Sequence, residues 1–172
     1  GMLLSYSGLG QDMFRSVDSW IGHISGGLAI ATIGTSAIFS SISGSVNATT
    51  ATVAKITLPE MEKYKYKPSL STASIAAGGT LGVLIPPSVL LILYGVLTGE
   101  VIGALLIAGI VPGILQVVIF GLTIYILVKR DPELAPARTE KASLSERIKT
   151  SKDVLPFALI FILSIGGIYL GI

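Results

Sequence analysis

The chain has 172 residues, 51% of them hydrophobic and only 13% charged, with a mean hydropathy of +0.80. Soluble domains carry about a quarter charged residues, so a disordered chain is excluded and an ordinary soluble globule disfavoured. With twelve basic and ten acidic residues (net charge +2), twenty glycines without a Gly-X-Y period and no cysteine, it offers no nucleic-acid tail, collagen repeat, disulfide or thiolate chemistry.

A helix rises about 1.5 Å per residue and the hydrocarbon core is about 30 Å thick, so a span needs roughly 20 apolar residues. Residues 1–23 read as the end of a preceding helix and a cytoplasmic connection. No basic region precedes their apolar run, so no signal peptide is expected. Within them, Trp20 reads as an interfacial anchor. His23, the sole histidine, reads as an interface or capping residue rather than a catalyst.

The run from Ile24 to Ile42 is long enough to span but rich in Gly, Ser, Thr and Ala. It meets a polar knot, Ser43-Gly44-Ser45-Val46-Asn47. The next run, Ala48 to Leu58, is short, carries Lys55 and is expected to stop at Pro59. Residues 24–59 are therefore predicted to form a re-entrant helical hairpin with its tip at 43–47, held deep in the membrane. Small residues along both limbs, among them Gly34, Ser36, Ser40, Thr49 and Thr52, suit close helix packing. Irregular backbone at that depth must be covered by protein or line a wet cavity.

Residues 60–69 form a loop in which Lys63, Lys65 and Lys67 face Glu60 and Glu62. Residues 70–98 are long enough to cross but are interrupted over 79–87, where Pro86 and Pro87 remove two donors and clash with the preceding turn. Residues 104–128 form an unbroken predicted span. Residues 129–153 hold seven basic and five acidic side chains, with a predicted amphipathic helix over 144–154 capped by Ser143 or Ser145. A last span, 154–172, is expected to be truncated by the chain end, so the chain reads as a fragment of a larger membrane protein. Both basic loops read as cytoplasmic by the positive-inside rule, and the short connection carrying Glu100 reads as the outer one.

The chemistry concentrates at the two interruptions. At the hairpin tip, hydroxyls, an amide oxygen and freed carbonyls supply neutral oxygen ligands of the kind hard cations favour. The limb starting near Asn47 aims a positive dipole end at the same point, where an anion could be held. The competing reading is a serine-rich turn that satisfies its own hydrogen bonds. At the second interruption, Gly78-Gly79-Thr80-Leu81-Gly82-Val83-Leu84-Ile85-Pro86-Pro87-Ser88, glycines permit an unwound stretch and close backbone approach; the competing reading is a packed proline kink. Two breaks at bilayer depth are the expected build of a midplane site in a secondary transporter. No acidic residue lies in a span, so a buried proton relay is unsupported, and the glycine-rich stretch lacks a P-loop lysine. No enzyme activity is expected.

Ile42-Ser43-Gly44-Ser45, the exit Leu58-Pro59-Glu60-Met61, the stretch Gly78 to Ser88 followed by Tyr94-Gly95, and Ala108-Gly109-Ile110-Val111-Pro112-Gly113 occur in order. Together they resemble the large membrane (M) subunit of TRAP transporters, the tripartite ATP-independent periplasmic transporters. The resemblance runs from about Gly8 to Ile172 and covers most of the first of two inverted repeats. It implies an all-α integral membrane fold of elevator type: a re-entrant hairpin, a broken transmembrane helix and further spans. It further implies a multi-pass permease of the inner membrane, driven by Na⁺. Its partners would be a small membrane (Q) subunit, the lipid bilayer, and an extracytoplasmic solute-binding (P) protein that delivers an organic anion such as a C4-dicarboxylate or a sugar acid.

Carried onto this sequence, the Na⁺ candidates are Ser43, Ser45 and Asn47 on the hairpin and Gly79, Thr80, Gly82 and Pro86 opposite. The anion is expected against Ser45, Asn47, Pro87 and Ser88, with its cationic partner supplied from outside this chain. Two other readings remain open at this point. One is a dicarboxylate–Na⁺ symporter that needs no binding protein; the other is a channel-like membrane subunit.

Overall fold

A computed structural model describes residues 9–136, 142–155, 158–159, 162–163 and 166–167. Among these residues the regular structure is entirely helical, and seven α-helices are bounded as follows: α1 Leu9–Ile21, α2 Gly27–Ser43, α3 Val46–Lys63, α4 Pro68–Thr80, α5 Val89–Thr98, α6 Ile102–Arg130 and α7 Leu144–Asp153. Short 3-10 turns cover Leu81–Val83 and Pro132–Leu134. The expected last span falls largely, and residues 1–8 wholly, outside the described residues.

The centre of the fold is α2, which packs against α1, α3, α4 and α6. Its small residues let four neighbours approach, and their hydroxyls must be satisfied inside the bundle. They are. Thr32, Thr35 and Ser36 are fully buried and donate to the carbonyls one turn back, at Leu28, Ala31 and Thr32, each at 2.8 Å. Such back-bonding satisfies a hydroxyl without a partner helix. Around α2 the apolar core gathers Phe14, Leu28, Ile33, Met61, Leu70 and Leu81.

Only Gly44 and Ser45 separate α2 from α3, so the two helices turn back on each other as a hairpin. Its open ends lie together: the Tyr66 hydroxyl, just beyond α3, accepts from the Leu28 amide at the start of α2, 3.2 Å away. Pro59 does not end α3. The helix continues to Lys63, forfeiting only the one bond that a Pro59 amide would have made. The charged last turn, Glu60 to Lys63, follows on that end.

From Pro68 the chain climbs again in α4, which packs on both hairpin limbs. Regular helix stops at Thr80, passes through the 3-10 turn, and resumes at Val89 as α5. The long α6 then returns the full height, and its far end is tied to the loop before α4: Lys67 N–H donates to the Leu134 carbonyl at 3.0 Å. Outside, the Lys67 ammonium meets Glu133 at 3.0 Å and Asp131 at 3.6 Å.

α6 is the one helix among the described residues long and apolar enough to cross a membrane. Most of its surface is uncovered, with Ile107, Val111, Ile114, Leu115 and Leu122 all exposed, as are Leu93, Val96 and Leu97 on α5. So large a continuous apolar surface marks a membrane-facing or interaction face. The surface helix α7 docks on α1 through polar contacts. The Trp20 indole N–H donates to Ser151 Oγ at 3.1 Å, and the Arg147 guanidinium lies 5.5 Å from the Trp20 ring. The side chains of Leu144 and Ile148 are turned outward.

Candidate functional site

The hairpin tip is made possible by one residue. Gly44 caps α2 in the left-handed region (φ +55°), where a side chain is strained, and a Cβ there would also overlap the Pro87 carbonyl oxygen. Ser45 then caps α3, its hydroxyl accepting from the Ala48 amide at 3.4 Å. Behind the turn sits a small hydroxyl cluster. Ser43 Oγ and Thr49 Oγ1 are 2.7 Å apart, Ser40 Oγ donates to Thr49 Oγ1 at 3.4 Å, and the Ser45 amide donates to Ser43 Oγ at 3.4 Å. The tip is thus partly satisfied within itself. Whichever of Ser43 and Thr49 donates in their pair, the other accepts twice and is saturated, while the donor and Ser45 each keep one free lone pair.

The second interruption lies directly against the first. Val89 N–H donates to the Gly44 carbonyl at 3.2 Å. A Cβ on Gly82 would lie 3.1 Å from the Ser45 carbonyl carbon and the Val46 nitrogen. One on Gly79 would run into Thr50 Oγ1, and one on Gly78 into Ser36 Oγ. The glycines of the break are therefore contact surfaces for the hairpin, and their lack of a side chain sets the distance of approach.

The predicted residues divide by environment. Gly79, Gly82 and Pro86 are buried at the junction, Ser43 and Ser45 are half-buried at the tip, and Asn47 is exposed in the first turn of α3. Pro87 abuts Gly44 through its carbonyl. Ser88 is fully buried, and its hydroxyl accepts from the Leu91 amide at 3.4 Å as the cap of α5. Thr80 is exposed, and its side chain engages other partners: it donates to the Ala77 carbonyl at 2.6 Å and accepts from Gln116 Nε2 at 3.3 Å. Two participants are not assigned from sequence as site partners, Thr50 against Gly79 and Gln116, whereas Thr49, read from sequence with the oxygen-rich tip, proves to be its hydroxyl hub. Gln116 carried a signal, as the lone polar side chain in the apolar run from Ala104 to Leu122.

Four helix ends converge here: the C-termini of α2 and α4 and the N-termini of α3 and α5. Each end carries roughly half an elementary charge in unpaired carbonyls or amides. The junction can therefore attract a cation to carbonyl ends and an anion to amide ends without any ionised side chain. Among the described residues no group of three or more His, Asp or Glu side chains gathers as a metal site. A groove of about 690 Å³ opens beside the break, lined by Ala37, Ile38, Ser41, Ile85, Pro86 and Ile110 among others. Its walls are almost wholly apolar, so it lacks the donors a carboxylate needs on leaving water.

The site also has a definite height. Gly109 and Gly113 of α6 lie against Leu84 and Ile85 of the break, and Gln116, the midpoint of α6, reaches Thr80. The midpoint is about 21 Å from either end of that helix. Gly26, at the open end of the hairpin, packs instead on Ile124 and Val128.

Comparison with known proteins places the chain in a family. Residues 1–172 match the family model described as tripartite ATP-independent periplasmic transporter, DctM component. The chain is 34% identical over 173 residues to the C4-dicarboxylate TRAP transporter large permease protein DctM of Pseudomonas aeruginosa, covering 99% of this chain and 39% of that protein. It is 39% identical over 163 residues to the ectoine TRAP transporter large permease protein TeaC of Halomonas elongata (93% and 37%). It is 33% identical over 171 residues to the sialic acid TRAP transporter large permease protein SiaM of Vibrio cholerae (99% and 39%). The chain thus spans about two-fifths of the length of these curated relatives. It belongs to the DctM family, the large permease component of the tripartite ATP-independent periplasmic transporters.

Proposed function

We propose that this chain forms the ion-binding half-site of a Na⁺-coupled permease that imports an organic anion across the inner membrane. The hairpin enters the bilayer and returns, carrying its tip to mid-depth. The carbonyl ends of α2 and α4, with oxygens of Ser43, Ser45, Asn47, Gly79, Thr80, Gly82 and Pro86, cage the cation. The amide ends of α3 and α5, near Ser45, Asn47, Pro87 and Ser88, face the anion's carboxylate.

One observation supports the reading: the two chain interruptions lie against each other, and the break runs beside α6 between Gly109 and its midpoint at Gln116. Broken helices with opposed ends at the midplane are how secondary transporters hold ion and substrate together. Cation and anion bound side by side stabilise each other, and that shared free energy is the coupling. The hairpin and the break then move as one rigid body, elevator-fashion, against the rest of the transporter. A small membrane subunit and an extracytoplasmic solute-binding protein complete the system. The substrate is an organic anion or zwitterion with a carboxylate, as in the names of related permeases: a C4-dicarboxylate, a sialic acid or ectoine.

The test is Na⁺-dependent uptake by the full permease assembly in proteoliposomes. Asn47→Ala and Ser45→Ala are expected to raise the half-saturating Na⁺ concentration more than they lower protein yield. Unchanged Na⁺ dependence in both variants contradicts the assignment.

A further inference from the structure

The family and the proposed ion site leave Gln116 unexplained. It is the only polar side chain on α6 between Ala104 and Leu122, and it stands at the helix midpoint. At that depth a polar group is costly and turns toward protein or water. Its Oε1 is buried, with no hydrogen-bond partner among the described residues. A leucine there would fill a similar volume without burying an unpaired acceptor, so bulk alone does not account for an amide.

What the amide does is reach the break. Gln116 Nε2 donates to Thr80 Oγ1 at 3.3 Å, and the Thr80 hydroxyl in turn donates a hydrogen bond to the Ala77 carbonyl at 2.6 Å. Thr80 is the last residue of α4, and the 3-10 turn that abuts the hairpin tip begins at the next residue. The two-bond relay therefore runs from the middle of the spanning helix to the last regular turn before the break. Glycines 78, 79 and 82 hold the other side of that turn against the hairpin.

We infer that Gln116 is a positioning residue: a polar strut through which α6 fixes where α4 ends and hence where the carbonyls of the break point. Its place is set by geometry alone, while its effect on ion affinity rests on the Na⁺ reading above. Removing the strut frees the last turn of α4 to slide or unwind, and the break must then be ordered at the moment the ion binds.

The experiment compares Gln116→Leu, Thr80→Val, the double variant and Thr80→Ser in the full permease assembly. Amide hydrogen exchange is followed across residues 81–85, whose N–H groups close the 3-10 turn. One hydrogen bond of this kind is worth about a three- to tenfold change in local opening, so Gln116→Leu and Thr80→Val should each speed exchange by about that factor. The double variant should match the singles, and Thr80→Ser, which keeps the hydroxyl, should match the wild type. Because leucine suits a lipid-spanning helix, the variant should retain its yield. Wild-type exchange in Gln116→Leu, or effects that multiply in the double variant, would overturn the strut. In uptake, Gln116→Leu should raise the half-saturating Na⁺ concentration with the maximal rate nearly unchanged. Exchange is measured without Na⁺, so a permease whose wild-type uptake ignores Na⁺ would overturn the ion site and leave the exchange result to decide the strut.

Discussion

Among single residues, the glycines do most to decide whether the site can assemble. Gly44 is required twice, by its positive φ and by the Pro87 carbonyl against it. A non-glycine residue in that conformation costs about 1–3 kcal/mol before any overlap is counted. Gly44→Ala should therefore lower the thermal midpoint and the yield of the permease, as read in detergent by a fluorescence melt. Gly82→Ala is a finer probe. The backbone of Gly82 is not left-handed, and its new methyl would meet main-chain atoms of Ser45 and Val46 at 3.1 Å. It should push the tip from the break by a few tenths of an ångström, leaving yield near wild type while weakening the Na⁺ dependence of uptake. Equal loss of yield in the two variants would show that the junction is merely packing.

Between elements, two tethers at one end of the bundle differ in strength. The Lys67 ammonium is exposed and sits between two carboxylates. Its pKa is raised above the ordinary 10.5, first by the hydrogen bond to Glu133 and further by the charges of Asp131 and Glu133. A raised lysine contributes whatever stability it has below its unfolded value and loses it only as pH climbs through the folded one. The tether is therefore constant across the neutral range. Exposed pairs contribute little, and the backbone bond from Lys67 to Leu134 survives substitution, so Lys67→Met should leave the thermal midpoint at neutral pH unchanged. The docking of α7 is different, because Trp20 supplies both a hydrogen bond and a cation–π face. Together these are worth about 1–2 kcal/mol. Trp20→Ala should speed tryptic cleavage at Arg147, Lys149 and Lys152 by about tenfold, a rise checked by mass spectrometry of the digest.

The same elements show where sequence is informative and where it is silent. The proline pair and the glycines before it leave a helix no way through, so a break is visible from residue chemistry alone, as is the Ser143 cap of α7, whose hydroxyl accepts from Glu146 N–H at 3.2 Å. Pro59 is the counter-example. A lone proline forfeits one bond, and packing of α3 on α2 and α4 carries the helix on to Lys63. The partners of the break were hidden for a different reason. Periodicity says which residues share a helix face, not which face meets Thr50 across 29 positions or Gln116 across 36. Trp20 illustrates the same limit: its contacts with Ser151 and Arg147, on a helix far along the chain, are not legible from its own sequence surroundings.

For the molecule as a whole, the all-helical class and the family were legible because composition and ordered motifs both survive translation into structure. The uncovered apolar faces of α5 and α6 fit a protein whose remaining surface is lipid or further protein. Leu115, exposed beside the α6 midpoint, should report on that environment. Leu115→Arg is expected to disfavour membrane insertion by about 3–4 kcal/mol in a translocon-based insertion assay, whereas the same change at an aqueous surface would cost nothing.

The central claim is that the hairpin tip and the helix break together hold a sodium ion at mid-membrane. Isothermal calorimetry of Na⁺ binding to the full permease, in detergent with K⁺ as the background cation, addresses it without any transport step. The account predicts saturable Na⁺ binding in the wild type and a clear loss of affinity in the Ser45→Ala, Asn47→Ala double variant, with the thermal midpoint lowered only by the lost Ser45 cap, worth about 1 kcal/mol. Wild-type affinity in that double variant, with the fold intact, would contradict it.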